Sequence, residues 1–98
     1  MKLYLDDVRF PRGGGWTVVR SYDDAIAVLD AFYDKIEEVS LDHDIGDEKH
    51  TGYDVAKYIE FLIEIKKYVP IKKMWCHSAN PVGCKNINAV FKKYNKET

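Results

Sequence analysis

Short apolar runs alternate along this chain with longer stretches of helical spacing. Lys2–Leu5 is an apolar run that stops at Asp6-Asp7, and Trp16–Arg20 (WTVVR) is aromatic and β-branched; both predict strands. Between them, Arg9–Gly15 carries Pro11 and Gly13-Gly14-Gly15 and predicts a loop. Ser21 is placed to cap a helix, with Asp24 three residues on and Asp23 beside it, both suited to the positive end of the helix dipole. Ala25, Val28, Leu29, Phe32, Tyr33 and Ile36 follow at helical spacing. Glu38–Asp42 (EVSLD) predicts a third strand and Ile45–His50 a polar loop. Thr51, with Asp54 three residues later, starts a second helix. Its apolar stripe is Val55, Ile59, Leu62 and Ile63, its opposite face is Lys57, Glu60, Glu64 and Lys67, and Pro70 ends it. Ile71–His77 (IKKMWCH) predicts a fourth strand. Asn80, followed by Pro81 at the first helical position, caps a third helix. Ile87, Val90, Phe91 and Tyr94 are its inward side, and Lys92, Lys93 and Lys96 suit its negative end as a solvated cluster.

The predicted order, β-β-α-β-α-β-α, is that of an α/β fold with a mostly parallel sheet. The first connection has no helix. About ten loop residues can still span the length of a strand at about 3.3 Å each, and antiparallel pairing of the first two strands is the alternative. Ninety-eight residues predict one domain, 1–98, and 46% apolar with 32% charged residues excludes disorder as the default. Fifteen Lys+Arg against sixteen Asp+Glu leave a net charge of −1, which makes no electrostatic case for duplex nucleic acid or a membrane surface. The most apolar stretch, Tyr58–Ile65, contains Glu60 and Glu64 and is too short to span a bilayer. Acid at position 6 of MKLYLDD argues against a secretion signal. Cys76 and Cys84, eight residues apart with no CxxC, are expected to be reduced thiols, and the expected location is the cytoplasm.

Ligands of parallel sheets gather at the carboxyl ends of the strands. The first strand ends in Asp6-Asp7 with Arg9 beyond, the third in Asp42-His43-Asp44, and the fourth in His77-Ser78 with Asn80 following. Taken singly, each Asp reads first as a turn or helix cap. As a set, Asp6, Asp7 and Asp42 would repel one another unless protons or a cation intervene, and Mg²⁺ or Mn²⁺ is the candidate. His43 and His77 could form an acid–base pair near neutral pH, ligate a transition metal, or hydrogen-bond a neighbouring carboxylate or carbonyl. His50 is expected to be solvated. Ser78 and Asn80 precede a helix N-terminus, where free N–H groups favour phosphate; Ser78 would then donate to a phosphate, act as a nucleophile, or simply form a turn. Arg9 would clamp a phosphate or make a surface salt bridge. The three glycines are no P-loop, because no Lys-Ser/Thr follows and a strand comes next; they form a turn or a lid. Met74, Trp75 and Cys76 are expected in the core or under a helix, and Cys76 lacks the basic surroundings of a reactive thiolate. Trp16 either stacks on a base or packs in the core.

LYLDD, then VSLDHD, then HSAN, follow the order of a response-regulator receiver domain. In that resemblance Asp6 and Asp7 match the Mg²⁺-binding acid pair, Asp42 the phosphoacceptor, and Ser78-Ala79 the switch position. The chain departs from it in having no helix between the first two strands, no fifth strand with its Lys, and two additional histidines, His43 and His77. LDDVRFP, GWTVVRSYDDAI, SLDHDIG, TGYDVAKYI and HSANPVGCKNI are more closely similar to the divergent cyclic-phosphate processing receiver-like domains. That resemblance covers nearly the whole chain. It implies a small three-layer, receiver- or flavodoxin-like, mostly parallel sheet of four strands in order 2-1-3-4 with about three helices. It also implies processing of a nucleotide- or RNA-derived cyclic phosphate, in RNA repair, nucleotide signalling or conflict systems. Carried over by motif, its signature positions are Asp6, Asp7, Arg9, Asp42, His43, Asp44, His77, Ser78, Asn80 and Gly83. The activity expected is a metal-dependent phosphoesterase. Asp6, Asp7 and Asp42 would hold the ion, and His77, His43 and Asp42 would do the chemistry. Arg9, Asp44, Ser78, Asn80 and Gly83 would face the substrate. The alternatives are a pseudo-receiver signalling module and a protein that binds a cyclic nucleotide without opening it.

Overall fold

The computed structural model describes residues 1–95, so Lys96 lies outside the described residues. The elements run β1 (Lys2–Leu5), β2 (Trp16–Val19), α1 (Tyr22–Phe32), β3 (Glu38–Leu41), α2 (Gly52–Lys66), β4 (Lys73–Cys76) and α3 (Pro81–Phe91). The sheet order is β2-β1-β3-β4, and every pairing is parallel, which settles the direction of the first two strands.

The caps act where the sequence places them. Ser21 Oγ accepts from the Asp24 N–H at 3.1 Å, Thr51 Oγ1 from the Tyr53 N–H at 3.1 Å, and the Thr51 N–H donates back to Asp54 at 2.8 Å. α1 tightens into a 3-10 turn at Tyr33–Lys35. α2 stops before Pro70: Lys67 turns left-handed at φ 66° while its N–H still reaches Ile63 O. Among the described residues, no helix is long and apolar enough to cross a membrane.

The strand register divides the sheet into two unlike faces. Leu3, Leu5, Val19, Val39, Leu41 and Met74 point to one side and join Ala25, Leu29, Val55, Ile59, Ile87 and Phe91 of the helices in the core. α1 packs on α2 and α2 on α3, so the three helices form one layer. Tyr4, Trp16, Ser40 and Trp75 alternate onto the other side, which carries no helix among the described residues. The molecule thus has two layers where three were expected. The helix missing between β1 and β2, replaced by residues 6–15, is the element that would have covered the second face. Trp75 accordingly lies on this open face, half-buried, whereas Met74 is in the core as expected.

Cys76 and Cys84 are also not the separate thiols expected; they form a disulfide. The turn after β4 folds straight into α3, bringing the last strand residue and the first helical turn to a Cα–Cα distance of 5.3 Å, well inside the span of such a bond.

Candidate functional site

Parallel hydrogen bonding continues one residue beyond three of the strand pairings. Asp6 N–H donates to Val19 O at 3.2 Å, Asp42 N–H to Leu5 O at 2.9 Å, and His77 N–H to Leu41 O at 2.9 Å. These bonds hold the backbones of Asp6, Asp42 and His77 side by side at the C-terminal edge. Each follows an inward-facing residue, so all three side chains turn to the open-face side.

Asp6 is the centre of this cluster and is fully buried. Its Oδ1 accepts from the Val8 N–H at 2.9 Å and the Arg9 N–H at 2.8 Å. Its Oδ2 accepts from Arg9 Nε at 2.9 Å and from His77 Nε2 at 3.0 Å. Burial pushes its carboxyl up. The two backbone donors, the His77 hydrogen bond and the Arg9 charge outweigh it and hold the pKa at about 2. Asp6 is therefore ionised and can only accept, so His77 Nε2 carries a proton. His77 Nδ1 lies 2.7 Å from Ser40 Oγ and, in the neutral ring, accepts from that hydroxyl. The His77 ring stacks on Tyr4 with centroids 4.3 Å apart. Position and tautomer of this imidazole are thus set from three sides.

Arg9 spans the two buried acids. Besides its bond to Asp6, its NH2 group lies 3.5 Å from Asp42. The neighbouring Asp6 and Asp42 charges raise its pKa further. Arg20 fixes the turn from below, donating to Asp6 O at 2.9 Å and Arg9 O at 2.6 Å. Asp7, in contrast, is directed away, with Oδ2 against Gly46.

A second cluster sits on the helix side of the same edge. His43 Nδ1 lies 2.9 Å from Asp44 Oδ1, and Asn80 Nδ2 donates to Asp44 Oδ2 at 3.2 Å. The His43 and Asn80 hydrogen bonds lower the Asp44 pKa, so Asp44 accepts and His43 Nδ1 donates. The His43 ring lies against Gly83, where any Cβ would overlap it. Asn80 Oδ1 also accepts the Gly83 N–H at 2.9 Å, capping α3. Because Pro81 has no N–H and Gly83 has spent its own, this helix start is poorer in free donors than the phosphate site expected of it. Ser78 makes a turn: its Oγ accepts from the Asn80 N–H at 3.0 Å. His50, expected in solvent, stacks on Tyr22 with centroids 3.8 Å apart.

Of the sequence-derived positions, the fold joins Asp6, Arg9, Asp42 and His77 in one group and His43, Asp44, Asn80 and Gly83 in another. It leaves Asp7 outside both, and Ser78 touches the second only through the Asn80 backbone N–H. Ser40, Tyr4 and Arg20 were not anticipated. Ser40 and Tyr4 are ordinary strand residues in sequence, and only the strand register shows that they face His77.

Ligand atoms of Asp6, Asp42 and His77 lie within 4.8 Å of one another, the spacing of a metal site. With Arg9 in place these residues do not fit a divalent ion. Asp6 already accepts four hydrogen bonds, His77 Nε2 carries a proton, and the guanidinium occupies the position between the acids that an ion would take.

The family model described as the cyclic-phosphate processing receiver domain matches residues 1–93. Comparison with curated proteins and with solved structures gave no match. The order of the acids, the two histidines and the Asn80-capped helix on a 2-1-3-4 parallel sheet agrees with that match, and the chain belongs to the cyclic-phosphate processing receiver domain family.

Proposed function

We propose that this chain is a phosphoesterase that opens a cyclic phosphate at the C-terminal edge of its sheet. The observation that carries this is Arg9, a guanidinium held between two buried carboxylates beside a histidine whose tautomer is set by Asp6 and Ser40. Arg9 offers the donors that a phosphoryl group needs. In ring opening, a water oxygen bonds to phosphorus, one endocyclic P–O bond breaks, the freed oxygen takes up a proton to become a hydroxyl, and a phosphomonoester remains. His43 suits the base role. Asp44 binds Nδ1, which leaves Nε2 as the acceptor for the water proton. The Arg9 N–H groups not spent on Asp6 and Asp42 would face the oxygens on which negative charge develops.

Mg²⁺ or Mn²⁺ enters this proposal only by displacing Arg9 from Asp6 and Asp42. Binding without turnover is the second reading, favoured by the fact that both nitrogens of His77 are already engaged.

Phosphorus NMR tests the first reading, using 2′,3′- and 3′,5′-cyclic nucleotides and ADP-ribose 1″,2″-cyclic phosphate with Mg²⁺, Mn²⁺ or EDTA. Ring opening is expected, reduced at least about tenfold in Arg9→Ala and His43→Ala, the low end of acid–base effects. Failure to open any ligand, with shifted resonances of one of them, would favour binding alone.

A further inference from the structure

All-parallel sheets almost always carry helices on both faces. Here one face carries no helix among the described residues, and beside Lys2, Glu38, Ser40 and Lys73 it holds an aromatic cluster. Tyr4, Trp16 and Trp75 form it, with Trp16 and Trp75 edge-on at 5.7 Å and Tyr4 and Trp16 edge-on at 5.9 Å. The loop that replaces the missing helix adds Phe10 and Arg12 above them. Together these residues line a cleft of about 440 Å³, with Ser40 at its floor. Arg9 and His77 belong both to this cleft and to the carboxylate cluster, so the two are continuous.

We infer that this cleft is the half of the site that takes a heteroaromatic ring, and that the substrate is a nucleoside cyclic phosphate with its base on the open sheet face. The inference rests on the cyclic-phosphate reading above and deepens it. Volume, chemistry and position agree. The cleft is within the size range of small-ligand sites and mixes aromatic walls with a few polar groups. Indole and phenol rings stack on any base through its π-face. Arg9 joins the cleft to the carboxylate cluster, where the phosphate of the same ligand would lie, and Arg12 adds a second guanidinium to the cleft lining. A base-free phosphate would leave the aromatic walls in water, and a simple hydrophobe would make no use of the Arg12 guanidinium in the cleft lining.

The probes are adenosine 3′-monophosphate, ribose 5-phosphate and adenosine, titrated against wild type, Trp75→Leu and Trp75→Tyr by calorimetry and tryptophan fluorescence. The mononucleotide is expected to bind about tenfold or more tighter than ribose 5-phosphate and to quench indole emission. Trp75→Leu is expected to lose that preference while binding ribose 5-phosphate as before, and Trp75→Tyr to restore most of it. Circular dichroism confirms that each variant is folded. Equal binding of the two phosphates, no binding of either, or a preference unchanged in Trp75→Leu overturns the inference. So does a dimer that buries Trp75 at the concentrations used, because a second copy would then occupy the face.

Turnover separates this inference from the reading beneath it. Adenosine 2′,3′-cyclic phosphate and glycerol 1,2-cyclic phosphate opened with the same KM would overturn the base site and leave the phosphoesterase standing. A mononucleotide preference with neither ring opened would keep the base site and remove the esterase.

Discussion

Asp6→Asn removes the charge at the centre of the site while keeping its shape. Asp6 is fully buried, and its carboxylate accepts from Val8, Arg9 twice and His77. Its pKa lies at about 2 in the fold against an ordinary value of 3.8. A difference of just under two units, at 1.36 kcal/mol each, makes the charged form worth about 2 kcal/mol to the folded state. The sign follows from the depression. The contribution is fully present above the unfolded pKa near 3.8 and is lost as pH falls through the folded value near 2. An amide cannot carry the charge, and it turns an NH₂ group toward the donors of Arg9 or His77. At pH 7, Asp6→Asn is therefore expected to unfold about 2 kcal/mol more easily, a fall in Tm of roughly 8–16 °C for a domain of this size. The gap between variant and wild type is expected to shrink to roughly half near pH 3 and to below about 1 kcal/mol near pH 2. Urea unfolding followed by circular dichroism at a series of pH values reads both quantities, and other titrating groups cancel in the difference. Two stability curves that stay parallel from pH 7 to pH 2, or that differ by less than about 0.5 kcal/mol at pH 7, would refute the reasoning.

Gly52→Ala would drive a methyl into the backbone carbonyl of Asp42, whose carbon would be 2.8 Å away, and would strain the Gly52 N–H bond to His43 O. Backbone cannot swing aside, so a loss of about 3 kcal/mol is expected in urea unfolding. Gly83→Ala meets a side chain instead, with His43 Cδ2 at 2.6 Å. The ring can move, and the helix propensity gain of about 1 kcal/mol offsets the strain. Stability is thus expected to change by less than about 1 kcal/mol, while the NMR signals of the His43 ring shift and ring opening falls at least about tenfold. Cys84→Ser opens a loop of eight residues and is expected to cost about 2–3 kcal/mol. Intact mass under non-reducing conditions checks the premise, since two free thiols in the wild type would contradict the bond.

The elements were legible because their signals are local. Ser21, Thr51 and Asn80 cap the helices they precede, and the apolar runs of β1 and β3 end at the acids that form the site. What lay beyond the sequence depends on how the chain crosses the sheet. Whether a helix lies above or below is not written in its periodicity, so three helices on one face could not be told from helices on two. Trp75 looks the same in sequence whether it meets a helix or open space. The Cys76–Cys84 bond arises from the turn between β4 and α3, not from a recognisable spacing. The candidate acids and histidines were identifiable as a set, yet their division into two clusters was not. Asp42 and His43 are adjacent in sequence and turn to opposite sides of the edge.

One departure from the receiver plan accounts for both the bare face and the charge of the site. A helix starting after Asp7 would cover Tyr4 and Trp16 and carry its side chains away from the sheet edge. The loop at residues 6–15 does otherwise. Asp6 takes the N–H groups of Val8 and Arg9, which turns the chain back sharply. Arg20 ties the Asp6 and Arg9 carbonyls together, and the Arg9 side chain then falls onto Asp6 and Asp42. The turn that deprives the sheet of a helix on its other face thus places a fixed cation between the two buried acids. The same loop carries Phe10 and Arg12 across the uncovered aromatics. Arg9→Lys separates these contributions. It keeps a positive charge but cannot bridge two carboxylates through a planar fork. Phosphate binding is expected to fall in this variant while the indole response to adenosine alone persists. Loss of both together would mean that the cleft and the charged cluster are one structural unit, which Arg9 holds in shape.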